Sequence, residues 1–170
     1  MKYLLKLIDS CIYALIGPFA VLYIFPRFFR ELEAHFYQLP FNYYIDKTGV
    51  VFMWSGAALA IWCGILMFLN KYGSVIPFFK PTKLVTSGPY GIVRHPMMWA
   101  LFLVLIGEVL TYSSPFTLLW LLIWIRFSKI YISDYEDPFL IKHFGEEYLQ
   151  YCQKVPRWIP NFFFNERTKQ

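Results

Sequence analysis

Two groups of polar residues in this 170-residue chain have types and spacings that can carry chemistry. The first is Arg94-His95-Pro96, preceded by Gly88-Pro89-Tyr90-Gly91-Ile92-Val93. Proline at a helix start leaves first-turn N–H groups directed at the preceding loop, where a carboxylate or phosphate can be held. Arg94 and His95 add charge and donors. Glycines on either side of Pro89-Tyr90 let the backbone approach a flat ligand closely. The same residues have plainer uses: Arg94 can hold a lipid phosphate, His95 can sit at an interface, and the glycines can simply make a turn.

The second group is Asp134, Glu136 and Asp137, followed by Phe144-Gly145, Tyr148, Tyr151 and Val155-Pro156-Arg157. At 3.6 residues per turn, Asp134 and Asp137 share one helical face and Glu136 looks elsewhere. A carboxylate here can bind a ligand ammonium or pair with Arg94, Arg126 or Lys129. Asp137 has a second reading, as an N-cap ahead of Pro138. Leu140, Phe144, Tyr148, Tyr151 and Val155 recur at helical spacing, so this stretch reads as an amphipathic helix or helix pair, with a bend at Gly145. Arg157 can hold an anionic group or anchor the chain at an interface beside Trp158. Two ionisable residues, Glu108 and Arg126, fall within apolar segments; such residues are candidate sites, although both are near enough to a segment end to snorkel.

The elements that must position these groups are membrane spans. With 58% hydrophobic and 16% charged residues, the chain is too apolar for an ordinary soluble domain of its size. Residues 50–69 form an uncharged run of about the ~20 residues needed to cross a hydrocarbon core. Residues 11–25 contain Gly17 and Pro18 and, with residues 3–8 ahead of them, predict a bent first span. Residues 97–112 and 115–132 are separated by Ser113-Ser114, which predicts a transmembrane hairpin with a serine cap and Pro115 in the first turn. Between the first two spans, residues 26–49 are rich in aromatics and read as an interfacial helix lying flat, a membrane anchor or else a lid over a lipid substrate.

Orientation follows from Lys and Arg. With the N-terminus in the cytoplasm, 13 of the 16 basic residues lie inside and Arg27, Arg30 and Lys47 lie outside. The net charge of +5 then answers to anionic lipid rather than to nucleic acid. Three cysteines, one of them in mid-span, do not make a disulfide framework. No Cys/His spacing suits a metal, and neither a phosphate-binding glycine loop nor a Gly-x-Ser-x-Gly elbow is present.

With these residues assembled, the chain resembles the isoprenylcysteine carboxyl methyltransferase and phospholipid methyltransferase superfamily over roughly residues 83–160. The family pattern, Gly-x-Tyr then Arg-His-Pro, and later Glu-Glu through Phe-Gly to Tyr, Tyr and Val-Pro, reads here as Gly88, Tyr90, Arg94, His95, Pro96, Glu136, Leu140, Phe144, Gly145, Tyr148, Tyr151, Val155 and Pro156. Met98, Ala100 and Asp137 depart from it, standing for Tyr, Gly and Glu.

The resemblance agrees with what the apolar runs and the Lys/Arg bias predict, an all-α integral membrane bundle of about four transmembrane helices, with a C-terminal amphipathic segment on the cytoplasmic side. Its single membrane domain, 1–170, comprises N-terminal spans and interfacial segment (1–82), methyltransferase core (83–160) and tail (161–170). It implies S-adenosylmethionine as methyl donor, held by Tyr90, Val93, Arg94, His95, Pro96, Glu136, Asp137, Tyr148 and Tyr151. Glu136, Arg157 and Glu108 are the candidate catalytic residues. The acceptor it implies is a lipid or lipid-modified molecule: a prenylcysteine-type carboxylate, a lipid amine or a thiol. The expected location is a bacterial-type inner membrane or an ER-like membrane. Sterol reductases share a similar Arg-His-Pro and Val-Pro ending and bind NADPH, and a non-catalytic membrane interaction protein is a third reading. Small Ala100, with Met97 and Met98 beside it, suggests a gap between spans through which a lipid acceptor enters sideways.

The topology is tested by cysteine-accessibility labelling in intact cells. A reporter thiol at Gln170 is expected to stay protected and one at Gln38 to react; the reverse pattern would overturn the orientation.

Overall fold

Two prolines and a seam of glycines shape the chain. The computed structural model describes residues 16–34, 43–69 and 84–159. The expectations placed on residues 1–15, on the aromatics of 35–42 and on the 161–170 tail lie outside the described residues. The elements of the described residues are helices and helical turns, with no strand among them. A helical stretch from residue 16 passes through a π turn, Ala20–Ile24, into α1 (Phe25–Ala34). Next come α2 (Tyr43–Leu69), a 3₁₀ turn (Gly88–Gly91), α3 (Pro96–Tyr112) and α4 (Pro115–Tyr131). A second π turn, Ile132–Glu136, leads into α5 (Asp137–Phe144), and α6 (Glu146–Lys154) ends the helical part.

Two helical stretches, Asp46–Met67 and Pro115–Phe144, are long and apolar enough to cross a membrane; Pro96–Tyr112 is apolar but shorter. The 17 residues of α3 rise about 26 Å, slightly less than a ~30 Å hydrocarbon core. Large apolar side chains of α2 and α4, among them Trp54, Ile61, Trp62, Leu119, Leu122 and Phe127, point outward. A bilayer accommodates such surfaces; water does not.

α2 and α3 run antiparallel in very close contact. A Cβ on Gly56 would lie 2.7 Å from the Ala100 carbonyl oxygen, and one on Gly49 would lie 2.6 Å from that of Gly107. Only hydrogen fits between backbones at this distance, which is how helices associate where no hydrophobic force drives them together. This seam corrects one expectation. Ala100 is 1% exposed and covered by α2, so it borders no opening to lipid.

The serine turn matches its prediction. Ser113 closes α3 in a left-handed conformation (φ 48°), and the Ser114 hydroxyl oxygen accepts from the Thr117 N–H at 3.1 Å. The segment after Pro26 differs from expectation, because α1 packs along α4 instead of forming a separate flat helix. Phe25 and Phe29 stack on Trp120 with centroids 4.4 and 5.7 Å apart, and the Ser114 hydroxyl donates to buried Glu33. The π turn explains how Pro26 is tolerated. Phe25 N–H reaches back five residues to the Ala20 carbonyl, so the wider turn relieves the clash that proline makes within a regular helix.

Gly56→Leu is expected to separate α2 from α3 and destabilise the protein by at least the ~1–3 kcal/mol of overpacking, measured by denaturation from mixed micelles. Gly64 has nothing within 4 Å of an added Cβ, so Gly64→Ala serves as the tolerated control. Equal stability of the two variants would refute the close seam.

Candidate functional site

The two sequence groups meet at one end of the bundle, opposite the serine turn. The start of α3 supplies the first. Pro89 and Tyr90 are buried in the 3₁₀ turn, and Gly88 takes a positive φ of 61° against Leu66 and Trp62 of α2. Arg94 and His95 then enter α3, with His95 at its N-cap and 5% exposed. The expected free N–H groups are fewer than supposed, since Met98 and Trp99 both donate to the His95 carbonyl.

The second π turn supplies the other group and overturns a register argument. Asp137 N–H bonds to the Ile132 carbonyl, five residues back, so one extra residue is wound into the turn just before Pro138. Asp134 and Asp137 therefore do not share a face: Asp134 is exposed and Asp137 is buried. Nor is Asp137 the N-cap, which falls to Glu136 without a side-chain cap bond.

Asp137 is instead the centre of a cluster. Its Oδ1 accepts from the Tyr148 hydroxyl at 2.5 Å and its Oδ2 accepts from Arg157 Nη2. Arg94 Nη1 lies 3.8 Å from Oδ2, and His95 Nε2 lies 3.5 Å from Oδ1. On its other side His95 Nδ1 is 3.4 Å from Glu136 Oε1, so the imidazole stands between two carboxylates. These last approaches are ion-pair contacts longer than ordinary hydrogen bonds.

The C-terminal segment clasps the start of α3. Arg94 N–H donates to the Pro156 carbonyl at 3.0 Å, the Tyr151 hydroxyl to the Tyr90 carbonyl at 2.6 Å, and Trp99 Nε1 to the Trp158 carbonyl at 2.8 Å. Gly145, at φ 57° and ψ −127°, makes the reversal between α5 and α6 that brings this segment back. Tyr148, Tyr151 and Val155 are buried with Leu140 and Phe144 around them. Tyr90 is buried beside Cys63 and Val85. The three tyrosines thus serve packing and the clasp, and none has its ring open to a ligand. Val93, in the loop after the 3₁₀ turn, and Pro96, the first residue of α3, are likewise buried.

Two candidates lie elsewhere. Glu108 is 13 positions beyond His95, roughly 20 Å along α3. It sits near Arg30, whose guanidinium covers the Tyr112 ring 3.7 Å from its centroid. Arg126 is exposed on the outer face of α4, away from the acidic cluster. Conversely, Cys152 and Trp158 were not picked out by type or spacing. Arg94 Nη1 donates to Cys152 Sγ at 2.8 Å, and the Trp158 ring lies 6.3 Å from His95 and stacks on Phe102 at 5.9 Å. Trp158 follows Arg157 directly, which is the one signal the sequence offers for it.

The α4-to-α5 stretch of 30 residues is about 45 Å long, so its last turns, Asp137 included, stand beyond a ~30 Å core. Burial alone would raise the Asp137 carboxyl, but the close approach of His95, the hydrogen bond from Tyr148 and the charge of Arg157 bring it down to about 2. Burial alone would lower His95; contacts with Asp137 and Glu136 win and raise it above its ordinary value. Burial first, and then the bond to Asp137, push the Tyr148 hydroxyl up.

The phospholipid methyltransferase family model matches residues 46–147, more than half of the chain, and the protein belongs to that family. It is 39% identical over 82 residues to protein-S-isoprenylcysteine O-methyltransferase of Schizosaccharomyces pombe, covering 48% of this chain and 34% of that protein. It is 31% identical over 80 residues to protein-S-isoprenylcysteine O-methyltransferase B of Arabidopsis thaliana, covering 46% and 40%. With the Xenopus laevis protein of the same name it shares 39% identity over 121 residues, covering 69% and 41%. The chain thus spans about a third to two fifths of the length of these relatives. No solved structure matches it.

The signs of the two shifts define a pH window. Asp137 contributes stability that is present above its unfolded value near 3.8 and lost as pH falls through about 2. His95 contributes stability that is complete below its unfolded value near 6.5 and lost as pH rises through its higher folded value. Thermal unfolding is expected to show greatest stability from about pH 4 to 6.5 for this cluster. Asp137→Asn should flatten both limbs and cost about 3–5 kcal/mol, because it leaves buried cations uncompensated. A His95 NMR titration midpoint unchanged in Asp137→Asn would show that the two do not interact.

Proposed function

We propose that the protein transfers a methyl group from S-adenosylmethionine to the carboxylate of a prenylcysteine-type acceptor at the membrane. The observation that carries this reading is the convergence of Arg94 and His95 with Glu136, Asp137 and Arg157 at one end of an apolar bundle. The relatives' names favour methyl transfer over NADPH-dependent reduction.

The donor set fits the amino-acid part of S-adenosylmethionine. Asp137 is enclosed by Tyr148 and three cationic side chains, whereas Glu136 is 31% exposed and makes an ion pair with His95 alone among the described residues. Glu136 is therefore the carboxylate available to an incoming ammonium. The buried Arg94 Nε, Arg157 Nε and His95 Nε2 lack hydrogen-bond partners among the described residues and are available to a carboxylate. When bound, S-adenosylmethionine supplies an electrophilic methyl on a sulfonium.

The chain's own residues bind, orient and exclude water. An ionised carboxylate acceptor has its attacking lone pair ready, so no side chain has to remove a proton. When His95 is protonated, the form that its two carboxylate neighbours favour, the cluster's charge favours that acceptor over a lipid amine: Arg94, Arg157 and His95 then outnumber Glu136 and Asp137 by one positive charge, which an anionic acceptor neutralises and a cationic one aggravates. Arg157, its side chain 36% exposed, is the residue best placed to hold it. Glu108, at the other end of α3, is not part of the proposed mechanism. The Lys/Arg balance supports a cytoplasmic position for this end of the bundle.

Glu136→Gln keeps the shape and removes the charge, so donor affinity by calorimetry is expected to fall by the ~1.5–3 kcal/mol of a hydrogen bond to a charged group. Labelled methyl should appear as a base-labile ester on an S-prenyl cysteine. Unchanged affinity in a folded Glu136→Gln protein removes that residue from the site. Label found only on phospholipid amine would transfer the proposal to a different acceptor.

A further inference from the structure

The outer face of α4 carries one residue that neither the fold nor the proposed reaction uses. Leu122, Ile123, Arg126, Phe127 and Ile130 line a shallow groove of about 460 Å³, apolar apart from the guanidinium. All five side chains are exposed, and they lie on the side of the helix away from buried Leu121 and Ser128. The Arg126 side chain has no ion pair or hydrogen bond among the described residues.

Depth makes this placement expensive. Arg126 follows the start of α4 by 11 residues, roughly 16 Å along the axis, so its Cα stands about halfway through a ~30 Å hydrocarbon core. Its side chain can snorkel several ångströms toward the end where the polar cluster lies, which brings the guanidinium level with Ile130. A charged group there needs an anion with a hydrocarbon neighbour. Surface counter-ions do not reach it.

We infer that this groove is a binding site for an anionic phospholipid of the leaflet on the polar-cluster side, with its phosphate on Arg126 and an acyl chain along Phe127, Ile123 and Leu122. Charge complementarity decides for this occupant. The planar guanidinium donates two parallel hydrogen bonds to phosphate oxygens, and the groove continues toward the bilayer centre in the direction an acyl chain takes. A second copy paired across the same stripe would set Arg126 against Arg126 in low dielectric, which is repulsive. The site is separate from the Asp137 cluster, so its occupancy is independent of methyl transfer.

Native mass spectrometry of the full chain, released from detergent and titrated with phosphatidylglycerol, tests this. One phosphatidylglycerol is expected to remain bound in preference to phosphatidylcholine, and Arg126→Gln is expected to weaken it about tenfold or more. Arg126→Lys should retain part of the affinity, and inorganic phosphate at millimolar concentration should not displace the lipid. Circular dichroism and donor binding unchanged in Arg126→Gln establish that the variant is folded. Equal retention of phosphatidylglycerol by wild type and Arg126→Gln overturns the proposal. So does full displacement by inorganic phosphate, or a dimer dissociated by Ile123→Trp, which would mean that a second copy covers the groove.

Discussion

The buried carboxylate of Asp137 is the contact on which this end of the molecule depends. One anion receives Tyr148 and Arg157 directly and draws Arg94 and His95 to within ion-pair distance. Those partners come from the α3 entry, from α6 and from the segment after it, so a single charge ties together parts of the chain up to 63 positions apart. Taking a carboxylate out of water is costly unless it is fully paired, and here the pairing is also the tertiary structure. The clasp of Tyr151 on Tyr90 and Pro156 on Arg94 adds neutral hydrogen bonds that hold the same two strands of chain in register.

The π turn ahead of Pro138 makes that arrangement possible. In a regular helix a 3.6-residue turn would carry Asp134 and Asp137 to one side; a wider turn buries Asp137 and leaves Asp134 in solvent. The same device occurs before Pro26, where it lets α1 continue along α4 rather than break away. In both places proline removes a donor and crowds the preceding turn, and an added residue is the local solution. The polar cluster is therefore linked to backbone mechanics, since moving Pro138 would rotate the carboxylates.

Away from this end the molecule is held by proximity rather than polarity. α2 offers Gly49 and Gly56 to the backbone of α3, and Gly107 returns the contact, which presents the remaining faces of both helices to hydrocarbon. A second polar group of Arg30, Glu33, Glu108 and Ser114 fastens α1 to the serine turn at the far end. Two polar ends joined by an apolar middle is the arrangement that a bilayer imposes.

The sequence by itself determined the apolar helices, the serine turn with its cap and the break at Gly145. Each is a matter of local spacing: runs of apolar residues, a hydroxyl before a proline, a glycine within a helical period. What only the tertiary structure decided is direction. The exposure of Asp134 and burial of Asp137, the inward turn of the three tyrosines, the distance of Glu108 from His95, the covering of Ala100 by α2 and the path of α1 along α4 all depend on how helices pack or on an inserted π residue. The physical reason is that periodicity fixes which side chains share a face only while the helix stays regular, and it never states what that face will meet.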